Sequence, residues 1–147
     1  MKYQNPPVSP CCDIAQACVF SKALLARAAR CELSQRTCAG DNEGLACTSP
    51  VARINCGTLA ALLHERARFA LRLPPPGRPL MHVQALRLQC GGLAALQQVL
   101  SAPDADVHRL VAGAHERHGT LAELPWEPLV SALVQWQPRQ RRRVSPQ

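Results

Sequence analysis

Between Cys31 and Cys56 the chain sets four cysteines in 26 residues and little else to fold around. The spacing through Cys31, Cys38, Cys47 and Cys56 is C-x6-C-x8-C-x8-C. Over residues 32–48 the only large apolar side chains are Leu33 and Leu45, and Gly40, Asp41, Asn42 and Gly44 gather as turn formers. Ordering backbone costs about 1–2 kcal/mol per residue, which two leucines cannot offset over such a length. The stretch of about 31–56 is therefore expected to be an irregular Cys-rich loop organised by a metal or cluster. In such a loop, binding energy serves as folding energy.

The ligand set points to the class of metal. Zinc sites usually take two ligands from one tight C-x2-C to C-x4-C turn, and no such pair occurs here. Four separated thiols with no histidine among them suit an iron–sulfur cluster, 4Fe–4S in preference, with zinc as the alternative. Cys31, Cys38, Cys47 and Cys56 are the candidate ligands. Cys12, Cys11 and Cys90 are lesser candidates, Cys12 the strongest of them because it precedes a helical segment where the dipole favours thiolate. Cys18 and Cys90 fall on apolar helical faces and read as small core hydrophobes. His108, His115 and His118 carry no accompanying carboxylate pattern, and Arg117 between the last two opposes a cation.

The rest of the chain reads as helix. Aromatic residues make up only 3%, so the core must be aliphatic, and 20 Leu and 22 Ala stand against 2 Ile and 4 Thr. Periodicity predicts helices over about 13–30, over 50–55 after the Ser49-Pro50 cap, and over 59–73. Further helices are predicted over 80–100 with Gly91-Gly92 as a break, kink or close contact, over 105–118 capped by Asp104, and from Pro125 or Glu127 to Gln137. The expected fold is all-α: a flexible arm over 1–10, one domain of five or six helices over 11–138, and a basic tail over 139–147.

Charge and targeting signals narrow the function. The net charge is +7, and Arg139, Arg141, Arg142 and Arg143 contribute four of those charges. No apolar run suggests a secretory leader or a membrane span, so a reducing, cytoplasmic setting is expected, in which clustered thiols bind metal more often than they form disulfides. Nucleophile-elbow and P-loop patterns are absent, so an enzyme is not the expectation. The reading is a small iron–sulfur protein serving as electron carrier or accessory subunit of a larger redox system, with a protein redox partner. The alternatives are a zinc- or cluster-containing regulator that binds nucleic acid through the arginine tail, and a cluster-dependent enzyme.

Overall fold

The computed structural model describes residues 17–39 and 42–138. Expectations for the arm 1–10, for Cys11 and Cys12, and for Arg139, Arg141, Arg142 and Arg143 lie outside these residues. The chain runs through α1 (Ser21–Leu25), β1 (Ser34–Ala39), β2 (Asn42–Cys47), α2 (Pro50–Ala67), α3 (His82–Leu100), α4 (Val107–His118), a 3-10 turn (Leu121–Glu123) and α5 (Trp126–Gln135). The architecture is mostly helical. No helix among the described residues is long and apolar enough to cross a membrane.

Helix α3 is the axis of the fold and packs against each of the other four helices. Its inner stripe of Leu88, Leu93, Leu96 and Leu100 is buried with Leu59 and Leu63 of α2, Leu110 and Val111 of α4, and Leu129 and Leu133 of α5. The helix is unbroken at Gly91-Gly92. Those glycines mark close contacts: a Cβ at Gly91 would stand 3.2 Å from the Leu133 carbonyl, and one at Gly92 would stand 2.7 Å from Leu63 Cδ1. Absence of a side chain is what lets α5 and α2 approach α3 from two sides.

Three helix boundaries differ from expectation for local reasons. The helices expected over 50–55 and 59–73 are one helix, capped by the Ser49 hydroxyl, which accepts from Ala52 N–H at 3.2 Å. Thr58 is not a cap; its hydroxyl donates to Ile54 O within the helix. The helix over 105–118 starts two residues later than expected, at Val107 with Asp106 rather than Asp104 as its cap, and ends as expected at Gly119 with φ 78°.

Two segments differ more deeply. The helix expected over 13–30 is reduced, within the described residues, to the five residues of α1. Its flanks are claimed by distant backbone instead. Cys18 N–H donates to Leu45 O, while Arg30 N–H donates to Ala105 O and Arg30 O accepts from Val107 N–H. Strands β1 and β2, in a stretch expected to be irregular, pair antiparallel, with Ser34 facing Cys47 and Cys38 facing Glu43. Gly44 sits across from the buried Thr37, where a Cβ would lie 2.7 Å from the Thr37 hydroxyl oxygen. Local propensity is weak in both segments, and long-range pairing decides.

Candidate metal centre

Hairpin and helices together bring four thiols to one place. Cys18 arrives on the segment that pairs with β2, through the Ala17–Ala46 bridge. Cys31 follows Arg30, whose backbone is tied to the start of α4. Cys47 ends β2, and Cys56 lies in the second turn of α2. All four line a single cavity of about 130 Å³, with Leu33, Val51, Val107 and Val111 making its walls largely apolar. A water molecule needs about 10–15 Å³ by this measure, so the space exceeds that of a single hydrated site.

Local hydrogen bonding prepares some of these sulfurs for negative charge. Backbone N–H of Phe20 favours the Cys18 thiolate, and backbone N–H groups of Leu33 and His108 favour that of Cys31. Cys47 Sγ donates to Ser49 O at 3.2 Å. The first turns of α2 and α4 both border the cavity, through Ala52 and Arg53 and through Val107 and His108, so two positive helix ends face it. Burial works the other way. It pushes the Cys18 and Cys31 thiols up, and Cys56, which no backbone N–H supports, is pushed up to about 12.

Electrostatic coupling shows the thiols to be neighbours: Cys56 is raised further by Cys31, Cys18 and Cys47 in turn. They are nonetheless spread. Among the described residues, no three His, Cys, Asp or Glu side chains gather closely enough to hold one metal ion. A tetrahedral zinc with Zn–S bonds of about 2.3 Å would draw its sulfurs to about 3.8 Å from one another. The four thiols thus share one cavity without meeting at a single point.

Of the quartet expected from spacing, Cys31, Cys47 and Cys56 line the cavity. Cys38 lies four residues along β1 from Ser34, the partner of Cys47, which is about 13 Å at 3.3 Å per residue. The side chain of Cys38 lies outside the described residues. Cys18 packs against the core, as expected, and also lines the cavity. Cys90 is 3% exposed within the α3 core, where burial pushes its thiol up. His108 also borders the cavity, 3.9 Å from the Glu32 carboxylate, and no feature of its sequence neighbourhood marks it. His64 is turned away, bonded to Pro74 O, and His82 meets Lys22.

The chain matches no family model, no curated protein and no solved structure. The geometry of the site is therefore the ground for assigning it.

A titration checks the burial of the site. In the unfolded chain Cys56 ionises near 9.0, and in the folded chain near 12. Between those values the native state holds the proton that the unfolded state has lost, so stability of metal-free protein falls as pH rises from 9 towards 12. At pH 8 the Cys56 thiolate fraction is about a thousandth of an ordinary cysteine's, and its alkylation by iodoacetamide should slow by about that factor. Mass mapping of labelled metal-free protein would read this directly. Labelling of Cys56 as fast as in the unfolded chain would mean the cavity is open to water.

Proposed function

We propose that this protein is a small iron–sulfur protein, holding a 4Fe–4S cluster on Cys18, Cys31, Cys47 and Cys56 and acting as an electron carrier or accessory subunit of a redox system. One observation carries the reading: four thiols from four separate parts of the fold converge on one apolar cavity. Such convergence costs free energy unless something rewards it. Bringing four thiolates together is repulsive, and burial keeps them protonated until a cation displaces the protons. A polynuclear cluster supplies positive charge over a wider span than one zinc ion, which suits the spread of the donors. Apolar walls and N–H groups directed at Cys18 and Cys31 are the levers by which proteins set the potential of such a cluster. Electron transfer needs no catalytic triad, open metal position or substrate pocket, and none is required to account for these residues.

The test is metal analysis of protein purified without oxygen. About four iron and four acid-labile sulfide per chain, with a brown colour and broad visible absorption bleached by dithionite, are expected. Colourless protein carrying one zinc, or none with two disulfides among the four cysteines, would overturn the assignment.

A further inference from the structure

Cys31 and Ser34 form a wall with two sides. One side faces the metal cavity; the other faces a surface groove of about 400 Å³. Leu25 and Leu45 floor that groove, and Arg27, Arg30 and Arg36 rim it. Arg30 is neutralised by Asp104. Among the described side chains no carboxylate pairs with Arg27 or Arg36. Arg27 holds φ at +59°, a conformation that costs a non-glycine residue free energy, and Leu25 is left 49% exposed. The left-handed Arg27 ends α1, its N–H donating to Leu24 O and the Ala28 N–H to Ala23 O.

We infer that this groove is the docking face for an acidic protein that carries a one-electron cofactor, and that the partner meets the cluster site at Cys31. The inference rests on the iron–sulfur reading for its electron, but its binding surface stands on charge and shape. Two guanidinium groups with no carboxylate partner among the described side chains, beside apolar groove residues, are what a transient protein interface offers: bidentate recognition of carboxylates around a small desolvated centre. Single-stranded nucleic acid would instead call for stacking platforms, and no aromatic residue lines the groove. The overall charge of +7 steers an acidic partner towards the chain. With a cluster held at the cavity, the docked pair would exchange one electron, lost by the reduced cluster and gained by the partner's cofactor, with no bond made or broken.

The probe is a small acidic flavodoxin, with basic cytochrome c as its counterpart. Binding is read by sedimentation or by calorimetry on the protein as purified, so the result does not depend on electron transfer. Flavodoxin is expected to bind, and to bind at least tenfold more weakly as salt rises from about 25 mM to about 300 mM. The Arg27→Glu, Arg36→Glu double variant should lose at least a further tenfold at low salt. Arg27→Asn with Arg36→Gln, which tolerates the left-handed backbone, should show an intermediate loss with an unchanged melting temperature. Cytochrome c should not bind. Equal affinity of wild type and both variants for flavodoxin would overturn the inference. So would a single-stranded oligonucleotide that displaces flavodoxin through the same arginines. Iron content judges the cluster separately: zinc protein that still binds flavodoxin would sink that reading and leave the groove, whereas iron protein that ignores flavodoxin would do the reverse.

Discussion

On the proposed iron–sulfur reading, Cys18→Ala is expected to lower metal content below about a quarter of the wild-type level, while Cys90→Ala leaves it unchanged. The difference follows from what each thiol faces. Cys18 borders the cavity with Cys31, Cys47 and Cys56, and its sulfur has the Phe20 N–H beside it. An alkyl group cannot replace a thiolate ligand, and structural metals contribute on the order of 10–16 kcal/mol to folding in small domains. Removing one ligand of four should therefore also loosen the hairpin, seen as new protease cuts over 31–47. Cys90 is packed among leucines of the core, so truncation to alanine removes only a small hydrophobe at a cost of about 1 kcal/mol. Cys38→Ala is the decisive companion. With its backbone about 13 Å along the hairpin from the Ser34–Cys47 pair, it should retain full metal content. Metal loss in Cys38→Ala with retention in Cys18→Ala would restore the evenly spaced quartet and refute the cavity as the site.

That reversal shows what the sequence could and could not reveal. Helices α2 to α5 were legible because each carries an aliphatic stripe strong enough to bury itself, and Ser49-Pro50 and Gly119 mark ends by local chemistry. The hairpin was not. Among its strand residues only Thr37 is β-branched, no alternation of apolar and polar residues announces a buried face, and its stability comes from pairing rather than propensity. Missing the hairpin also hid that Cys18, which packs against the core as expected, borders the cavity too. On a helix it belonged to an apolar face; paired beside β2 it stands next to Cys47 and Cys31. Three of the four cysteines now placed at the cavity were named from clustering alone. The fourth is separated from them by the pairing of Ala17 with Ala46, a contact between residues 29 positions apart that no local pattern encodes.

Asp106→Ala should cost about 2–3 kcal/mol and lower the melting temperature by about 5–10 °C. Asp106 is 5% exposed and holds two parts of the site with two oxygens. Oδ1 accepts from Arg109 N–H at 3.2 Å and caps α4, the helix whose first turn borders the cavity. Oδ2 accepts from Glu32 N–H at 2.9 Å and fixes the residue that follows Cys31. Losing the cap alone costs about 1 kcal/mol. Leaving the Glu32 amide without its partner adds the desolvation cost of a buried donor, about 1–3 kcal/mol, discounted here because that backbone is only part-buried. Because the second bond anchors the chain beside Cys31, metal retention should fall with stability, though less than in Cys18→Ala. Asp106→Asn separates the two roles. Its single carbonyl oxygen can restore the α4 cap but not both bonds, so it should recover part of the melting temperature and less of the metal content. Thermal unfolding and iron content on both variants test this. A cost below about 0.5 kcal/mol for alanine would mean that water replaces the carboxylate and that Cys31 is positioned by the Arg30 backbone bridge alone.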